Sequence, residues 1–376
     1  MTLGPLDSLE ELYNYLYTAL QLEHATIPPY LTALYSIHPG TNSDAFHILR
    51  VVAVEEMLHA TLVANIMNAV GMKPDLTQAG FIPEYPTYLP SGETDFEVSR
   101  ERFCRESVET FLKIERPAPL PADRQMSFAP GDEPGGYVIP RKSRGKSLFA
   151  YSPAGGNVSF DISGDGDTGL HFYSIGEFYK ALDKGLTDLE DKMKQEGKTL
   201  FIGDYQKQVK PEYYYSGGGE IIEVTDLASA QAAIRLISEQ GEGEGGGIYD
   251  NEGELAHYYR FQQLQLGRYY QVGDSLGNPT GPDVNVDWDS VYNIKTDARL
   301  VDYPSDSAVY AAALNFNTYY NQFLGHITQA FNGQPQMLIE AVGDMFKIKE
   351  KAVQLMRNPI PGMPGVNASP TFEMPV

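Results

Sequence analysis

Residues 51–71 read VVAVEEMLHATLVANIMNAVG. Together with Leu49, the positions Val52, Val63, Ile66 and Val70 recur at three- and four-residue steps, the period of a helix with one buried stripe. Gly71 closes the run in the manner of a C-terminal glycine, so a helix is predicted from about Asp44 to Val70. Two positions of the stripe are not apolar, Glu56 and His59. Three residues apart on a helix, they lie about 60° from each other on one face, able to bind one ion or neighbouring ions.

A second helix is predicted over residues 7–37, opened by a Ser8/Glu11 capping box and striped by Leu9, Leu12, Leu16, Leu20, Ile27, Leu31 and Leu34. Glu23 stands inside that stripe, where leucine would be ordinary, and a carboxylate buried there has to be paired or neutralised. Pro28 and Pro29 lack amide hydrogens, so the carbonyls of His24 and Ala25 lose their helical partners and a kink is expected. The Glu-x-x-His spacing then returns as Glu254-Leu-Ala-His257 in a helix predicted from about Asn251. One such pair arises easily by chance. Two, each among apolar residues and accompanied by Glu23 on a facing helix, point to a metal site in the core of a helical bundle.

Such a bundle needs a second lone glutamate to match Glu23. Glu115, in FLKIERP (111–117), echoes the LQLEH run around Glu23 and is favoured; Glu177, in SIGEFY (174–179), is the alternative or an extra ligand, though it also suits a capping box with Ser174. Four carboxylates and two neutral imidazoles offset two divalent ions, and that donor set suits iron, with manganese as the alternative. Cys104 is the single cysteine, which argues against structural zinc and iron–sulfur clusters. Glu55, rotated about 100° from the metal face, reads as a neighbour of the site or a solvated group. His24, His38, His47, His171 and His326 have no ligand spacing, and Arg260 is placed to pair with a ligand carboxylate or a substrate acid group.

The 376 residues carry 28 Lys plus Arg against 50 Asp plus Glu, a formal charge of −22 that repels nucleic acid and anionic lipid. No apolar run reaches the ~18 residues of a membrane span, and the N-terminus lacks a basic start followed by an apolar stretch. A cytoplasmic protein is expected. Beyond the first two helices, the pattern predicts irregular chain over 73–99, a short helix stopped by Pro117, and an irregular or β-hairpin insertion at about 117–173. Helices follow at 174–195 and from Thr225, with GEGEGGG (241–247) as a flexible connector. After a loop at 273–306 come helices at about 308–331 and 336–356 and a Pro-rich surface tail. The chain is therefore all-α, with a metal-binding bundle over 1–272 and a loop and helical extension over 273–376.

The stretches LEHATIPPYLTALYSI, VVAVEEMLHATLVANIMNAVG, FLKIERP, SIGEFY, TDLASA and ELAHYYRF make the chain resemble the ferritin-like domain of the iminophenyl-pyruvate dimer synthase family, across most of residues 8–355. The resemblance implies a ferritin-like four-helix bundle with a di-iron centre, on which Glu23, Glu56, His59, Glu254 and His257 fall at the motif glutamates and histidines. That family serves violacein- and rebeccamycin-type pigment pathways with much longer chains, so this chain is expected to be a free-standing member that does not perform the pigment reaction. The expected function is a non-haem di-iron or iron–manganese oxidoreductase using dioxygen on a small organic substrate, in secondary metabolism. The alternative is a metal-binding protein with a ferroxidase or accessory role and no organic substrate. An apolar bundle face beyond the core leaves room for a homodimer.

Overall fold

Helix α1 (Leu9–Ser36) and helix α2 (Ser43–Ala69) form a long hairpin joined by a six-residue connection, which makes them antiparallel neighbours. The structure is a computed structural model that describes residues 3–93, 95–117, 149–150, 158–159, 172, 174–215, 217–243 and 247–374. Ser8 caps α1 by accepting from the Glu11 amide at 3.2 Å, but the Glu11 carboxylate turns to the Gly4 amide and leaves the expected capping box half made. The helix is continuous across Pro28 and Pro29. The carbonyl of Ala25, deprived of its partner by Pro29, accepts instead from the Tyr85 hydroxyl at 2.6 Å.

Helix α3 (Arg105–Ile114) is capped by the Cys104 sulfur, and helix α4 (Ile175–Gln195) by Ser174. Helix α5 (Leu227–Glu242) opens with an Asp226/Ser229 capping box. Helix α6 (His257–Leu266) is short, and helices α7 (Ala308–Ala330) and α8 (Met337–Met356) form a second hairpin. The pairs α1–α2 and α4–α5 face each other as a four-helix bundle; α3 and α6 pack together beside it, and α8 lies against α1. The all-α expectation holds. Strand β1 (Phe149–Ala150) and strand β2 (Val158–Ser159) pair antiparallel inside the expected insertion, and the rest of 118–171 lies outside the described residues.

Three boundaries differ from the sequence reading. Gly241 and Glu242 are helical rather than part of a flexible connector, because α5 runs to the buried Glu242. Helix α6 begins at His257, not near Asn251: Tyr249 and Leu255 form an antiparallel bridge, and the intervening turn is closed by Asp250, which accepts from the amides of Glu252 and Glu254. The C-terminal tail lies on the surface only in part: residues 361–365 are exposed, but the end turns inward. Ala368, Ser369, Thr371 and Phe372 are buried, and Arg100 holds the tail by donating to the Thr371 carbonyl.

Candidate metal centre

Five of the seven residues singled out from the sequence converge inside the bundle. Glu23 comes from α1, Glu56 and His59 from α2, Glu115 from the C-cap of α3, and His257 from the first turn of α6. None is more than 4% exposed. Their donor atoms form two groups, Glu23–Glu56–His59 and Glu56–Glu115–His257, each with all its atoms within 4.8 Å of one another. Glu56 belongs to both.

The two imidazoles are held alike. His59 Nδ1 lies 3.3 Å from Glu23 Oε2 and 3.7 Å from Glu56 Oε1, while its Nε2 meets Gln240 Oε1 at 2.9 Å. His257 Nδ1 lies 3.0 Å from Glu56 Oε1 and 3.4 Å from Glu115 Oε2, while its Nε2 meets Glu55 Oε2 at 2.9 Å. The rings stand 5.4 Å apart and nearly parallel. Each ring therefore turns one nitrogen to the carboxylates and anchors the other on a side chain outside the cluster, the arrangement that orients a metal-bound histidine. Hydroxyl donors complete the shell: Thr26 to Glu56 at 2.8 Å, Tyr30 to Glu115 and Tyr179 to Glu23.

The electrostatics suit a set of groups that binds cations. Burial, followed by the charge of Glu115, raises the Glu56 carboxyl to about 7. Burial alone would lower both histidines, but Glu115, Glu55 and Glu56 hold His257 well above its ordinary value, and Glu23 with Glu56 raises His59. Without cations the cluster keeps protons that the same groups would give up to a metal. The fit to an ion is also geometric. His257 Nδ1 is fully buried and makes no hydrogen bond, although two carboxylate oxygens lie within 3.4 Å of it.

Two candidate ligands fall elsewhere. The Glu254 carboxylate is 68% exposed and pairs with Arg260 at 3.2 Å, because the three-residue spacing places two side chains on one face only inside a helix and α6 starts at His257. Glu177 is half-buried at the third position of α4, where its amide donates to Ser174 Oγ at 3.1 Å, and it belongs to neither group. Glu55 is buried and carries His257, with Arg260 at 3.6 Å from its other oxygen.

Sequence reasoning missed Gln240, Tyr30 and Tyr179. Gln240 was legible in principle: it continues the α5 stripe of Ala230, Ala233, Ile234 and Ile237 as a polar residue on an apolar face. It stands as the last residue of the predicted helix, just before the glycine-rich run, where a polar residue reads as a helix end.

A family model described as ferritin-like matches residues 16–266. The chain belongs to the ferritin-like family. Among curated proteins, it is 25% identical to dichlorochromopyrrolate synthase of Lentzea aerocolonigenes over an alignment 345 residues long that covers 86% of this chain and 29% of that one. The chain thus spans less than a third of the length of that relative. Among solved structures, a ferritin-like protein from Caulobacter vibrioides superposes with a TM-score of 0.61, covering 98% of this chain and all of the other at 22% identity, a likeness of fold. As in ferritin-like proteins with paired metal sites, the cluster draws its carboxylates and imidazoles from facing helices. Among the described residues, no helix is long and apolar enough to cross a membrane.

Proposed function

We propose that this ferritin-like protein is an oxidoreductase whose centre holds two divalent ions, iron or an iron–manganese pair, and uses dioxygen to oxidise a small organic substrate. The observation that carries the reading is the sharing of Glu56 between two buried carboxylate–imidazole groups. Glu23 and His59 would hold one ion, Glu115 and His257 the other, and Glu56 both. When bound, such a pair supplies redox electrons and a Lewis acid. The chain's own contribution is positioning. Gln240 and Glu55 fix the imidazoles, Tyr30 and Tyr179 donate to the terminal carboxylates, and burial excludes water from the cluster.

The likeness to dichlorochromopyrrolate synthase, an enzyme by its name, supports an organic substrate and a place near the iminophenyl-pyruvate dimer synthase family in secondary metabolism. The half-buried lone thiol, Cys104, suits a reducing cytoplasm. The near-complete burial of all five ligands favours a second reading, iron oxidation without an organic substrate. Metal analysis of purified protein tests the centre: about two ions per chain are expected, and none in Glu56→Ala. Unchanged iron in Glu56→Ala and His257→Ala would sink the assignment. Anaerobic iron loading, then oxygen with and without a metabolite extract, separates the readings, since only the oxidoreductase consumes extra oxygen with the extract.

A further inference from the structure

The α1–α2 hairpin has a second face, turned away from the cluster and toward α7 and α8. There the two hairpins enclose a cavity of about 340 Å³, at the small end of the range for pockets that surround an organic ligand. Its wall is apolar along most of its length, with Leu31, Ala53, Met57, Phe323 and Leu338 among its residues. On α2 the lining runs from Phe46 to Thr61, roughly 22 Å of helix at 1.5 Å per residue, so the cavity is long and narrow.

Two features break the apolar wall. At one end Arg50 of α2 and Lys349 of α8 line the cavity; both are exposed, and neither makes an ion pair with a described residue. The Lys349 ammonium rests 5.0 Å from the centre of the Phe46 ring, which fixes it at that end. In a chain of net charge −22, two cations at one mouth with no ion-pair partner among the described residues are an anion's address.

The second feature is His24, which lines the wall at 2% exposure. Its Nε2 lies 2.5 Å from the Tyr320 hydroxyl, and its Nδ1 has no hydrogen-bond partner. A phenol that donates to Nε2 leaves one group unsatisfied, the Nδ1–H. The reverse arrangement leaves two, the Nδ1 lone pair and the phenolic hydrogen, and each unmet buried group is costly. His24 therefore presents a buried N–H donor in an apolar wall.

We propose that this cavity is a second small-molecule site, separate from the metal cluster, for a linear apolar carboxylic acid bearing an oxygen on its chain. The carboxylate sits at Arg50 and Lys349, the chain fills the apolar channel, and the chain oxygen accepts from His24 Nδ1. A narrow channel favours an unbranched chain over a fused ring system. The proposal stands whether or not the cluster binds iron.

Calorimetric titration of the full-length protein with decanoate, 6-oxodecanoate and 1-decanol tests it. Decanoate is expected to bind at one site per chain, about tenfold tighter than decanol because of the charge-assisted contacts, and 6-oxodecanoate about fivefold tighter again through one hydrogen bond. Arg50→Gln combined with Lys349→Gln, both at exposed positions, is expected to bring decanoate down to the level of decanol. Ala53→Phe fills the channel and is expected to abolish binding of all three, and His24→Phe to erase the advantage of the oxo acid. Absence of decanoate binding up to about 1 mM overturns the proposal, as does equal affinity for acid and alcohol. Unchanged binding in the Arg50/Lys349 variant also overturns it, and that variant decides the matter should Ala53→Phe fail to fold. Iron content measured on the same samples keeps the result distinct from the fate of the metal reading.

Discussion

Glu55 Oε2 lies 2.9 Å from His257 Nε2, so adjacent glutamates of α2 grip opposite nitrogens of one imidazole, Glu55 from outside the cluster and Glu56 from within. The relationship separates a ligand from its support. Glu55→Gln is expected to keep the site and weaken metal affinity by about 10- to 100-fold, the usual effect of losing a carboxylate behind a metal-bound histidine. Glu56→Gln is expected to lose both ions. Competitive titration with a chelating dye reads the difference, and equal losses in the two variants would refute the division of roles.

Glu254→Ala is expected to leave metal content unchanged. Its carboxylate is 68% exposed and serves Arg260, so the cost is that of a surface ion pair, about 0–1 kcal/mol of stability. Loss of iron in this variant would show that the turn before α6 rearranges to bring Glu254 inward.

The pH dependence should reverse between the metal-free and metal-loaded protein. Burial and then Glu115 raise Glu56 to about 7, and the surrounding carboxylates raise His59 and His257 against burial. Without metal, the folded state therefore holds more protons than the unfolded state above the ordinary carboxyl range, and stability falls as pH rises toward and through 7. With metal the ions compete with those protons, and apparent affinity is expected to rise by up to about tenfold per pH unit for each proton displaced. Melting curves at pH 6 and 8, with and without iron, check both signs. A metal-free protein more stable at pH 8 would contradict the assignment.

Tyr85→Phe removes the donor that satisfies the Ala25 carbonyl beside the two prolines. With Tyr85 buried, the orphaned carbonyl is expected to cost about 1–3 kcal/mol, read by urea denaturation. Iron content is expected to survive, since Tyr85 touches no ligand of the cluster.

Three parts of the site were legible because they interrupt an apolar stripe inside a long helix, whereas Glu115 was reached by its echo of the run around Glu23 and His257 by its Glu-x-x-His spacing, both at the ends of short helices. The three are Glu23, Glu56 and His59, and α1 and α2 begin and end within a residue or two of where capping and glycine signals put them. Glu254 misled because its spacing to His257 is meaningful only if both are helical, and the Tyr249/Leu255 bridge starts the helix three residues later. Glu242 was hidden in a glycine-rich run, yet its carboxylate accepts from Ser174 Oγ and the Gly176 amide at the start of α4. A side chain at Gly176 would collide with that carboxylate, its Cβ falling 2.2 Å away, so the glycine is a packing requirement that composition alone does not reveal. The end of the tail, around Thr371, is buried through long-range contacts with Arg100, which no local pattern encodes.

The two carboxylate–imidazole groups differ in the distance along the chain over which each is assembled. Glu23, Glu56 and His59 all lie within one helical hairpin, Leu9–Ala69, whereas the partner group waits for Glu115 and for His257, almost two hundred residues after His59. During synthesis the first trio is therefore complete while most of the polypeptide is still unmade, and the second exists only once α6 has docked. The order of synthesis would thus let the α1–α2 trio take an ion first and leave the second group to close last, on a finished bundle.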